Sequence, residues 1–363
     1  KTLGAVLQQT GITGEPALRV LQDGNMGRTP AAHIAVQNGY HEVIEAAAAM
    51  LLQLGITGEL ASRFLDARLA NGRSAVFMAA QDGYHEVIEA VTAALPQLGV
   101  TGDAALRILE GKNEDGMPAI YVAARNGHPE VIEVFAAAMK QWDISGDAAI
   151  RMLEGKNANG APAIFIAAQN GHAEVIKTMV AAMQRLNISG DGAVRILEGK
   201  RADGGPAIFM AAQNGHPEVI EAYAAALQKL NITGEPALRI LEGKHPGGTP
   251  AIFMAAENGH AGVIKAYTTA LQQLGITGDA AIRFLEGRLA DESPAIYVAA
   301  QNGHAEVIKA FAAALPKLGI TGDAAIRILE GRLANGTTAL DTAARLGRRE
   351  VIQTLRAARL GIG

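Results

Sequence analysis

Five of the nine histidines, His128, His172, His216, His260 and His304, occupy one position that recurs at a step of 44 residues. Imidazoles are the commonest metal ligands and proton carriers, so they are the first place to look for chemistry. A metal needs its ligands within about 2 Å, whereas units stacked at one helix diameter hold such rings about 10 Å apart. The five therefore read as capping or packing groups at a helix start. His33, which stands where other copies carry an aromatic residue, reads as interior packing. The chain has no Cys, so it forms neither disulfides nor thiolate metal sites, which fits a reducing compartment without demanding one. It also contains no Gly-rich phosphate loop, nucleophile elbow or His-Glu-x-x-His. The expectation is a chain with no catalytic residue, no metal and no cofactor.

Two further series could carry chemistry. Arg19, Arg63, Arg107, Arg151, Arg195, Arg239, Arg283 and Arg327 keep the same step, and a ladder of guanidinium groups could track a phosphate backbone. Three residues after them stand Gln22, Asp66, Glu110, Glu154, Glu198, Glu242, Glu286 and Glu330, so the simpler reading gives each Arg an i,i+3 partner on its own helix, with a second from the next unit. The formal net charge of −4 also argues against a duplex-binding protein. Phe77, Tyr121, Phe165, Phe209, Phe253 and Tyr297 form an aromatic series on the apolar side of a short helix, which assigns them to the core rather than to base stacking. Trp142, where other copies mostly have Leu, reads as a core variant.

The elements that hold these side chains follow from the period. The Asn of Gln-Asn-Gly-His falls at Asn38, Asn126, Asn170, Asn214, Asn258 and Asn302, with Asp82 and Leu346 completing eight copies, and Ile-Thr-Gly-Glu at 12–15 returns in step. A register of this kind describes stacked units, each burying its apolar face against its neighbours. In the copy at 249–292, turn-formers at 244–248 precede a first helix over 250–257 with Pro250 as its first residue, closed at Asn258-Gly259. A second helix opens at His260. In the parallel copy Pro217 is its first residue, and Val219, Ile220, Tyr223, Leu227 and Leu230 fall on one face. After Ile-Thr-Gly-Asp a short third helix carries Ile282 and Leu285 on one side and Arg283 with Glu286 on another, and it ends at Gly287. Its N-cap is either Thr277 or Asp279. The fold class is all-α, with no apolar run of membrane-spanning length.

Thr338-Ala339-Leu340-Asp341-Thr342-Ala343-Ala344, followed by Gly347 and Glu350-Val351-Ile352, resembles ankyrin repeats, whose signature is Thr-Pro-Leu-His-x-Ala-Ala and then Gly-His-x-Glu-Val-Val. The resemblance covers the helix pair in every copy. Two departures stand out: Ala-Ile-Phe or Ala-Ile-Tyr replaces Pro-Leu-His, and the period is 44 where ankyrin has 33. The surplus falls at the family's hairpin loop, which puts its β-hairpin fingers in doubt. Armadillo or HEAT-like stacking is the alternative architecture.

The expected organisation is one repeat solenoid over 1–363. It comprises a partial unit at 1–28, full units at 29–72, 73–116, 117–160, 161–204, 205–248, 249–292 and 293–336, and a shorter, Arg-rich cap at 337–363. Because residues 1–14 align with the end of a unit, the chain reads as a segment of a longer protein. Framework positions repeat while loop positions vary, and the resemblance implies that loop tips and first-helix faces line a concave surface gripping a partner. The candidate contact residues are Asn113, Glu114, Asp115, Met117, Asn157, Asn159, Arg201, Asp203, His245, Asp291 and Glu292. The expected activity is that of a monomeric, non-enzymatic, intracellular scaffold for a partner protein or peptide. The alternatives are a nucleic-acid-binding superhelix and a targeting module of a larger, effector-like enzyme delivered into another cell.

Overall fold

In the computed structural model the described residues are 3–23, 36–69 and 72–361, so His33 lies outside them. The architecture is an all-α repeat solenoid. Helices alternate with short loops along the described residues, and the one β feature among them is an isolated antiparallel bridge between Arg68 and Ser74. The chain divides into two compact units, residues 1–163 with 181–188 and residues 164–180 with 189–363. In each of them first helices pack on first helices, second on second and third on third, as Ala207–Asn214 on Ala251–Glu257 and Pro217–Lys229 on Ala261–Gln273 illustrate.

The local reasons are visible in one copy. Pro250 does not begin the first helix; it stands one residue outside Ala251–Glu257, extended at φ −74° and ψ 152°. The fixed ring suits this N-cap position as well as the first turn, because no N–H is lost from the helical ladder. Pro217, by contrast, is the first residue of Pro217–Lys229, as its spacing predicts. Between the two helices Gly215 takes a left-handed φ of +77°, and a Cβ there would lie 2.5 Å from Nδ1 of His260 in the next copy. Glycine is thus required twice over, by the backbone and by the neighbour.

The third helix is present in every full copy whose residues are described, for example Gly278–Glu286, closed by Gly287 at φ +50°. Thr277 occupies its N-cap position, extended, but its hydroxyl makes no capping bond, while Asp279 sits in the first turn. The helix buries Ala281, Phe284 and Leu285, so Phe284 rather than Ile282 faces inward. Ala-rich first helices and the second-helix face of Val219, Ile220, Tyr223 and Leu227 complete the core. Small residues let the stacked backbones approach closely while retaining high helix propensity. The aromatic series belongs to this core: Phe77, Tyr121, Phe165, Phe209 and Phe253 are buried and Tyr297 is half-buried. Trp142 departs from its core assignment. It is half-buried at the C-terminus of Pro129–Gln141, and it lines an apolar cleft of about 200 Å³ with Pro96, Val100 and Leu106.

Candidate functional site

A loop joins each third helix to the next first helix, and one backbone turn recurs in the described loops. Asn113 N–H donates to Met117 O at 3.1 Å, Asn157 to Ala161 at 3.1 Å, Arg201 to Gly205 at 3.1 Å, His245 to Thr249 at 3.0 Å and Leu289 to Ser293 at 3.0 Å. Inside that frame a second bond closes a four-residue turn, as from Gly116 N–H to Asn113 O at 3.1 Å. These turns replace the β-hairpin fingers put in doubt by the long period. Successive tips also touch. Arg68 Nη1 donates to Lys112 O, and a Cβ on Gly204 would meet Pro246 Cγ at 2.7 Å.

The candidate residues sort into three kinds on this frame. Asn113, Asn157, Asp203 and Asp291 build the turn, since their side-chain oxygens accept from Met117, Ala161, Gly205 and Ser293 N–H at 2.9, 2.9, 3.0 and 3.0 Å. Such Asx contacts reward this residue type at a tight turn. They also set charge: hydrogen bonds from Arg201 and from the Gly205 N–H hold the Asp203 carboxyl down at about 2, and the Ser293 bonds lower Asp291. A second kind rests on the aromatic series. The guanidinium of Arg201 lies 5.2 Å from the Phe165 ring centroid and also pairs with Asp203, and the His245 ring lies 5.4 Å from Phe209. Sequence reasoning missed this, although rings and loops share one period. The third kind, Glu114, Asp115 and Asn159, is exposed at the tips; Met117 is half-buried, against Arg125, and Glu292 is exposed beside Arg288.

Two other series hold the frame together. His128, His216, His260 and His304 direct Nε2 at the carbonyl of Gln81, Gln169, Gln213 and Glu257 in the preceding repeat, at 3.1, 3.1, 3.0 and 2.9 Å. The same carbonyls accept from Asn126, Asn214, Asn258 and Asn302 at 2.7 to 2.9 Å. Packing between units is therefore the imidazole's role, and none of these four rings caps its own helix.

The Arg series loses its expected i,i+3 partner and keeps the partner expected from an adjacent unit. Arg107 binds Asp66 at 3.2 Å, Arg239 binds Glu198 at 2.8 Å and Arg327 binds Glu286 at 2.9 Å, all in the preceding repeat rather than three residues on. The carboxylate at i+3 is held instead by its own loop, as Lys200 holds Glu198 at 2.9 Å and Arg288 holds Glu286 at 3.2 Å. The cause is the left-handed Gly that follows each Glu. It turns the chain back and brings the next cation to the helix end, where cations also complement the helix dipole.

Neither a protein-family model nor a curated protein matches the chain. Among solved structures, the ankyrin repeat domain of Bcl-3, described as a unique member of the IkappaB protein family, is similar at a TM-score of 0.48 and 15% identity, over 76% of this chain and 95% of that one. Within the described repeats a glycine closes the turn of the helix pair, followed by His in five copies, and the loop after the third helix is a tight turn. Among the described residues no cluster of three His, Asp or Glu could hold a metal, and no helix is long and apolar enough to cross a membrane.

Proposed function

We propose that the chain is a non-enzymatic scaffold that holds a partner protein or peptide along its row of turns. The carrying observation is the pairing of an invariant loop backbone with variable, exposed side chains. A solvated loop under no constraint drifts in both respects, whereas a binding row keeps its frame and changes its contacts. Glu114, Asp115, Asn159, Arg201, His245 and Glu292 supply the contacts; Asn113, Asn157, Asp203 and Asp291 set the frame. The Arg series is less available to phosphate than its regularity suggests, because Arg63, Arg107, Arg239 and Arg327 are each engaged by a carboxylate.

The test uses the whole chain as bait in a cell extract, followed by binding measurements with the purified, identified partner. Replacing Glu114, Asp115, Asn159, Arg201 and His245 together by Ala is expected to weaken that complex by about tenfold or more, the cost of losing a few interface contacts. An unchanged affinity would remove the loop row as the site.

A further inference from the structure

Two of the arginines in the repeated series, Arg151 and Arg283, are exposed and have no hydrogen-bond or ion-pair partner for their side chains. Each stands over an open cleft between adjacent repeats, one in each compact unit. The cleft at Arg283 has a volume of about 330 Å³ and that at Arg151 about 350 Å³. Both lie in the range of ligand-binding cavities. They are built from equivalent positions: Pro250, Ile252 and Phe284 line one, and Pro118, Ile120 and Met152 line the other.

A departure in the sequence marks the same two places. The residue after the series Arg is Ile at 108, 196, 240 and 328, but Met152 and Phe284 follow the two unpaired arginines. Where Ile follows, Arg107, Arg239 and Arg327 reach the carboxylate 41 residues back. At the clefts that carboxylate is held by a lysine alone, Glu110 by Lys112 at 2.9 Å and Glu242 by Lys244 at 3.1 Å. Phe64 is a third large residue in this place, and Arg63 before it turns to Glu15 at 3.0 Å, position 22 being Gln.

Charge decides the kind of occupant. The Arg151 cleft is lined by Lys112, Arg151 and Lys156 against Glu110 and Glu154. At the Arg283 cleft Lys244, Arg283 and Arg288 face an equal number of carboxylates, but Glu242 is paired with Lys244, Glu292 lies by Arg288, and Glu286 is shared by Arg288 and by Arg327 from outside the lining. In both clefts the series Arg is thus the cation left without a carboxylate, above an apolar floor.

We propose that the Arg151 and Arg283 clefts are docking pockets for acidic peptide segments of a partner, each taking an Asp or Glu carboxylate on the guanidinium and a neighbouring apolar side chain on the floor. A bidentate Arg–carboxylate pair is the contact such a geometry favours. The carboxylates on the rim and the apolar floor both disfavour a polyphosphate chain. This inference deepens the scaffold reading and rests on it.

The experiment selects a displayed library of random 12-residue peptides on the whole chain, then measures enriched peptides against Arg151→Gln/Arg283→Gln. Exposed positions keep the fold intact, which circular dichroism verifies, and Arg107→Gln serves as the control at an arginine already paired. The expected result is enrichment of Asp or Glu beside an apolar residue, with affinity about tenfold lower in the double variant and little changed in the control. Peptides that ignore the double variant but are lost on replacing the loop-tip residues by Ala would overturn the cleft inference and leave the scaffold reading standing. Absence of any enriched peptide, or binding of a 12-nucleotide oligo(U) that the double variant abolishes, would overturn it as well.

Discussion

At the scale of single residues, two buried phenols are out of keeping with their surroundings. Tyr223 and Tyr267 are fully enclosed and their hydroxyls have no hydrogen-bond partner, while the equivalent positions 135 and 311 carry Phe. Tyr223→Phe and Tyr267→Phe should each stabilise the chain by about 1 kcal/mol, read as a higher urea midpoint, because an unsatisfied buried polar group is removed. Burial also pushes both phenols well above their usual range. Unfolded tyrosine loses its proton near pH 10, so above that pH the unfolded state binds fewer protons than the folded one and stability falls as pH rises. The double Phe variant should flatten this alkaline decline in a urea series from pH 8 to 11. Asp203 offers the opposite case: Arg201→Ala should return its carboxyl from about 2 toward an ordinary value in a carbon-detected NMR titration.

Among the elements, the glycine turns separate backbone need from neighbour need. Gly215→Ala places a Cβ against His260 as well as in a left-handed conformation, and should cost about 2 kcal/mol or more. Gly234→Ala, at φ +63° with open space around it, carries only the conformational cost of about 1 kcal/mol. Urea denaturation of the two variants side by side checks the difference. These turns were also what made the elements legible. Gly259, Gly287 and Pro217 mark helix boundaries through their own backbone preferences, and the third helix could be read from Gly287 and its apolar spacing. What escaped reading was which contacts between copies displace the local ones. A Glu three residues after Arg283 is a plausible partner on one helix, and nothing local says that Arg327 from the next copy claims it. The turn closed by Asn157 and the stacking of Arg201 on Phe165 were hidden for the same reason: their partners lie across a loop or in another helix.

The whole molecule depends on every unit having a neighbour. The helix pair at 339–345 and 349–360 covers the last full copy, with Val351 and Leu355 buried, Thr342 bonded to the Tyr297 hydroxyl at 3.0 Å and Arg359 taking Glu330 at 3.1 Å. Deleting 337–363 should expose the face around Phe311, lower the melting temperature and raise binding of a hydrophobic dye, because an uncapped array presents its core to water. The carbonyl shared by Asn126 and His128, and its counterparts along the chain, has a mechanical meaning. Each clasp ties one first-helix end to the next and leaves no long-range thread beyond it, so a chain pulled from its termini should lengthen in discrete yields. Each yield would release 44 residues, a contour gain of about 150 Å, and optical-tweezer traces with evenly spaced rips of that size would record the clasps opening one at a time.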